Sequence, residues 1–172
     1  AKRIARVEEK LDAILPNLAA IVRGLEEKGF PSFELTRKIV NGNGSMGTED
    51  RLRLVRQLGS ALSAGNVILR TFTERWTDNE GGQLTIPRRI AGAMADVTCE
   101  ALQEARVNTG DLALCLTGGD TALEVLNVLR ADQMEIRGEI IEGIVIARLM
   151  GGLWNGLTIV TKAGAFGKED AL

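Results

Sequence analysis

Five consecutive residues carry the strongest chemical signal in this sequence: Thr117-Gly118-Gly119-Asp120-Thr121. They follow the apolar run Leu112-Ala113-Leu114-Cys115-Leu116 and precede a helical pattern over 122–129. Two adjacent glycines let the chain turn tightly and let a ligand reach the backbone amides without meeting a side chain. A helix starting there presents unpaired N–H groups and the positive end of its dipole. That combination suits an anion, and phosphate in particular. One charge at such a terminus gains about 0.3–1 kcal/mol from the dipole. Thr121 can donate to a phosphate oxygen. Asp120 repels a bare phosphate, so it suits a magnesium ion or its waters, a ribose hydroxyl, or plain helix capping. The same residues also read as an ordinary strand-to-helix turn capped by Asp120 or Thr121. No Gly-Lys-Ser/Thr follows, so this is not a Walker loop.

A second glycine turn, Lys162-Ala163-Gly164-Ala165-Phe166-Gly167, follows the strand-like Leu157–Thr161. Lys162 at a strand end, with Gly164 two residues on, can place an ammonium and bare backbone beside phosphates. The plainer reading is a solvated lysine ahead of a turn, with Phe166 plugging the core. If the two strands are neighbours in one sheet, both turns open at the same edge, where α/β domains bind ligands. Asn41 to Gly47 reads as a loop. Glu139 and Glu142 read as surface charges, and Asp78, Glu80, Arg88 and Arg89 as solvated. No pair of carboxylates has a convincing catalytic spacing, and no catalytic residue can be named.

What is absent narrows the chemistry. The 172 residues include no histidine and no tyrosine. That excludes Ser-His-Asp and Cys-His nucleophiles and histidine-ligated metals. Net charge is −2, with 21 basic and 23 acidic residues. Such a chain has no surplus of cations to release counterions from a nucleic acid. Cys99 and Cys115 match no zinc or redox spacing, and Cys115, inside its apolar run, is expected to be buried. The uncharged stretch from Leu149 to Thr161 is too short to cross a bilayer. No secretory signal opens the sequence. The expectation is a cytoplasmic protein that binds neither nucleic acid nor membrane.

Several elements must position the two turns. Ile4, Val7, Leu11, Ile14, Leu18, Ile21 and Leu25 recur at helical spacing. Pro16 kinks or restarts that helix, and Gly29 ends it. We therefore divide the chain into an amphipathic segment, 1–30, packed on the domain or on a partner, and an α/β domain, 31–172. A strand is predicted over Phe33–Val40, then a helix over Glu49–Ser63, capped by Thr48, with Leu52, Val55, Leu58 and Leu62 inward. Val67–Phe72 reads as a buried strand. Ile86–Arg106 reads as a helix with Pro87 in its first turn. Leu112–Leu116 has the uninterrupted apolar character of a strand inside a parallel sheet, and a helix, Ala122–Leu129, follows. Met134–Ile141, Ile144–Met150 and Leu157–Thr161 complete the set. The prediction is an α/β fold, a mixed, mostly parallel sheet flanked by helices.

Leu116-Thr117-Gly118-Gly119-Asp120-Thr121, Gly138-Glu139-Ile140 with Gly143, Gly151-Gly152, and Thr161 to Gly167 with Asp170 occur in an order that resembles a known family. Over about residues 60–172 the chain resembles the C-terminal nucleotide-binding domain of the four-carbon acid sugar kinases (YgbK-like). The resemblance implies phosphorylation of a threonate, erythronate or oxo-tetronate by ATP with Mg²⁺. It implies nucleotide contacts from Gly118, Gly119, Asp120, Thr121, Lys162 and Gly164. In that family a separate N-terminal domain binds the sugar acid, so the partner implied is that missing half, and this chain alone is expected to be inactive. The family domain opens with a strand and a glycine-serine loop. The corresponding Leu11–Ile21 here keeps a proline and helical character but lacks the serine and glycine. A second reading follows: a non-catalytic interaction module that keeps the fold, has lost the nucleotide and forms homo-oligomers through the apolar stripe.

Overall fold

The computed structural model describes residues 24–41, 45–71 and 85–162. The leading stripe therefore lies outside the described residues, except for its last helical turn. That turn closes as the sequence predicts. Gly29 has φ +83°, its N–H bonds the carbonyl of Glu26, and the Phe30 N–H bonds that of Leu25. This pair of bonds is the Schellman arrangement that a left-handed glycine permits.

Strand β1 (Ser32–Leu35) follows. The β-prone stretch does not continue to Val40, because the amides of Ile39 and Val40 turn back onto the carbonyl of Thr36. Residues Arg37–Asn41 instead form a short helix, α1, that buries Ile39 and Val40. Helix α2 spans Ser45–Ala64. It begins four residues ahead of the predicted start, so the end of the expected 41–47 loop is helical. Its buried stripe is Leu54, Val55 and Leu58, while Leu52 is exposed. Strand β2 (Ile68–Thr71) pairs parallel with β1. Its residues are half-buried to exposed rather than buried, because it is an outer strand of a two-stranded sheet. Helix α3 (Thr85–Ala105) packs on α2.

The α2–α3 crossing is unusually close. A Cβ added at Gly59 would lie 2.7 Å from Cγ and 2.8 Å from Cβ of Glu104. Neither atom is the free end of a side chain, so a larger residue must push the helices apart. Nearby, the Ser63 hydroxyl bonds the carbonyls of Gly59 and Ala105. Gly59→Val is therefore expected to cost about 1–3 kcal/mol through overpacking. A urea titration showing unchanged stability would contradict this packing.

The second half builds a four-stranded sheet. Strand β3 (Ala113–Thr117) leads into helix α4 (Gly119–Val128), then β4 (Gln133–Ile141), β5 (Ile144–Met150) and β6 (Thr158–Lys162). The strand order is β3-β6-β5-β4. Only β3–β6 is parallel; β6–β5 and β5–β4 are antiparallel. This corrects the expectation of a mostly parallel sheet. The late strands are joined by tight turns, and a tight turn can only join antiparallel neighbours. In the turn between β5 and β6, Gly151, Gly152 and Gly156 all have positive φ. Trp154 is buried at its centre.

Among the described residues β3 is an edge strand of this sheet, which corrects a second expectation. Cys115 is exposed, whereas Cys99 on α3 is buried. Desolvation by neighbouring groups still raises the Cys115 thiol above its ordinary pKa. Burial, with Glu100 and Asp96 nearby, raises that of Cys99. Both thiols then hold less thiolate at a given pH and alkylate slowly. At pH 8 the native chain should modify at Cys115 first and at Cys99 only on unfolding, as peptide mass mapping would read.

Two cores share helix α3. Ala95, Cys99 and Leu102 pack with Leu116, Val125, Leu149, Leu157 and Ile159. Val97 and Ala101 pack with Leu35, Ile39, Leu54, Val55 and Leu58. A third cluster, Ile144, Ile146 and Val160, lies on the opposite face of the larger sheet. Among the described residues, no helix is long and apolar enough to cross a membrane.

Candidate functional site

The apolar run before Thr117 forms β3, and the one before Lys162 forms β6. Their parallel register sets Thr117 beside Lys162. Both strands therefore end at one edge of the sheet, and the turn that begins at Gly118 leaves from that edge. The Gly118 N–H donates to the Lys162 carbonyl at 3.2 Å, tying the turn to the end of β6.

Gly118 is the N-cap of α4, with φ +91° and ψ 129°, and no side chain caps the helix. The plain reading, a turn capped by Asp120 or Thr121, is not what forms. The first bond of the helical ladder runs from the Ala122 N–H to the Gly118 carbonyl, at 3.0 Å. The amides of Gly119, Asp120 and Thr121 thus precede the ladder and point out of the helix end. Gly119 and Asp120 are exposed and Thr121 is half-buried. Among the described residues, a Cβ at Gly119 would meet nothing within 4 Å.

The register also decides which side chain at the end of β6 faces α4. Thr161 pairs with Leu116, and Leu116 and Ile159 belong to the core beneath α4. Lys162 pairs with Ile144, and its alternate neighbour Val160 belongs to the cluster on the other face. Successive strand residues point to opposite faces. The Thr161 hydroxyl therefore stands on the same side as the α4 amides, and the Lys162 ammonium leaves from the far side. Sequence reasoning passed over Thr161. The alternation Leu157, Ile159, Thr161 held the signal, since a hydroxyl extends an otherwise buried face to the strand end.

Gly164 and Phe166 lie outside the described residues, as do Asp78 and Glu80. Glu139 accepts from the Gly143 N–H at 2.8 Å and so closes the β4–β5 turn, in keeping with its reading as a surface charge. Arg89 donates to the Asn41 side chain. A surface groove on α2 is lined by Leu52, Arg53, Arg56 and Gln57. Among the described residues, no three carboxylates or thiols gather to hold a metal.

The profile of a family described as the nucleotide-binding C-terminal domain matches residues 18–172. A D-threonate kinase of Bordetella bronchiseptica is 38% identical over 88 residues, covering 49% of this chain and 22% of that protein. A D-erythronate kinase of Heliobacterium modesticaldum is 28% identical over 120 residues, covering 70% of this chain and 25% of that protein. The chain thus spans no more than a quarter of the length of these relatives. In fold it is similar to a domain of unknown function from Bordetella bronchiseptica, solved with citrate as a domain-swapped dimer. The TM-score is 0.59 at 23% identity, over 87% of this chain and 34% of that one.

Proposed function

Because the chain belongs to the nucleotide-binding C-terminal domain family, we propose that it is the ATP-holding part of a kinase for four-carbon acid sugars. The relationship to D-threonate and D-erythronate kinases motivates the substrate class. The observation that carries the reading is the uncapped start of α4, which leaves backbone amides free to hold phosphate oxygens. Gly118 and Gly119 keep the approach clear, and Thr121 supplies a hydroxyl. In this reading Gly164 lines the nucleotide from the second turn, and Lys162 acts through its backbone and as a charge at the rim. Phosphoryl transfer demands positioning and charge neutralisation rather than covalent chemistry. Magnesium would arrive with the phosphates, since it is seldom bound by an all-protein cage. Asp120 is the exposed carboxylate in the first turn of α4 and fits the waters of such an ion. The sugar acid and the group that activates its hydroxyl belong to a sugar-binding domain supplied outside this chain. Residues 31–172 act as the nucleotide-binding domain, with residues 1–30 packed on it or on that partner.

Thermal denaturation with and without Mg-ATP tests the proposal. Nucleotide at one hundred times its dissociation constant is expected to stabilise the chain by about 2.7 kcal/mol. No shift at millimolar nucleotide would defeat it and leave the interaction module as the better account.

A further inference from the structure

We propose that Arg88, in the first turns of α3, holds the phosphates of the nucleotide against the start of α4. The inference rests on the nucleotide reading above and adds the cation that α4 and β6 do not supply on that face. Helix α4 contains no lysine or arginine, and the Lys162 ammonium leaves from the far side of the sheet. The amides and hydroxyls at this edge are neutral donors, and Asp120 adds a negative charge. Phosphate oxygens are held most strongly where the donor is itself ionised.

The place of Arg88 follows from the lengths and directions of two packed helices. β3 is parallel to β6, and β6 and β4 are each antiparallel to β5. β3 and β4 therefore start at the same end of the sheet. α3 leads through Thr109–Asp111 to β3, and α4 leads to β4. The two helices pack on each other, and both finish at that end. α3 has 21 residues and α4 has 10, which makes them about 31 Å and about 15 Å long. The first turns of α3 therefore rise beyond the start of α4, on the side of the sheet where the α4 amides emerge.

The stripe of α3 that faces α4 leads to the same residue. Ala95, Cys99 and Leu102 share one core with Ala122, Val125 and Leu129 of α4 and its C-cap. Each set climbs one turn at a time, so Ala95 comes level with Ala122. The next two residues on that stripe of α3 are Gly92 and Arg88, at steps of three and four. Level with Gly92, α4 has already begun from the Gly118–Gly119 turn. Among the described residues, a Cβ at Gly92 would meet nothing within 4 Å, as at Gly119. Arg88 stands one turn farther out, about 6 Å beyond Gly92 along the helix. It is exposed, and among the described residues it makes no hydrogen bond or ion pair. Its neighbour Arg89 lies on another face and donates to Asn41. A guanidinium offers paired N–H donors that match two phosphate oxygens at once. Arg88 thus closes over a phosphate whose other oxygens rest on the α4 amides.

Calorimetric titration of the full chain with Mg-ATP tests this. Arg88→Met keeps a long stem and removes the charge, and should weaken binding about tenfold or more. The ligand-free melting temperature should not move, because Arg88 is exposed. Arg88→Lys should recover part of the loss, since an ammonium keeps the charge and gives up the paired donors. Arg89→Met removes the same charge one residue away and should bind as the parent does. Arg88→Met binding as tightly as the parent overturns the proposal and leaves the nucleotide reading standing. An equal loss from Arg89→Met also overturns it, since net charge and not position would then be at work. A parent chain that binds no Mg-ATP defeats the nucleotide reading, and the role of Arg88 with it.

Discussion

A Gly118→Val variant is expected to lose all of the nucleotide-dependent rise in melting temperature. The backbone at Gly118 sits at φ +91° and ψ 129°, a conformation in which an L side chain is strained by about 1–3 kcal/mol. Crowding does not add to this, because the nearest atom to a Cβ there is the Thr121 hydroxyl oxygen at 3.9 Å. The valine must either bear the strain or relax it by rotating the peptide. Rotation swings the amides that follow out of convergence and breaks the bond to Lys162. Without ligand, the melting temperature should fall by about 2–4 °C for each kcal/mol lost, as for other chains of this size. Gly119→Ala separates strain from contact. Gly119 has ordinary φ and open space above it, so alanine there should leave the ligand-free protein at least as stable. If that variant binds Mg-ATP as tightly as the parent, no ligand occupies the space above the α4 amides.

The largest loss of stability is expected from Leu102→Ala. Leu102 is 1% exposed and packs from α3 into the core beneath α4. Removing its isobutyl group should cost about 2–5 kcal/mol, according to how far the cavity collapses. Val97, fully buried, enters the other core from the same helix. Since α3 serves both cores, Leu102→Ala and Val97→Ala should each lower a single melting transition. Two separate transitions in calorimetry would show that the cores unfold independently.

The parts of this protein that the sequence made legible are those governed by local rules. Pro87 in the first turn of α3, Gly29 beyond the last turn of its helix, and the sharp ends of β5 all follow from backbone preferences that need no knowledge of neighbours. The strand–glycine–helix junction was legible for the same reason. Misread features depended on what lies alongside. The run 112–116 looks like an internal strand, and nothing in its residues says that among the described strands only β6 lies beside it. Ile39 and Val40 are β-prone, but burial against α2 and α3 favours a helical turn there. Lys162 drew attention as a cation, whereas the face it occupies is fixed by its register with β3 and β5. Pairing partners far along the chain set that register, so Thr161 could be recognised only once the sheet was known.

Sliding β6 by one position would exchange the faces of its alternating side chains and carry the fully buried Ile159 out of the core beneath α4. The ammonium would then sit on the α4 side and the hydroxyl behind the sheet. β6 is five residues long, so its two ends lie about 13 Å apart. A buried isoleucine near the start of the strand thus holds the register that decides which functional group greets the ligand at its other end.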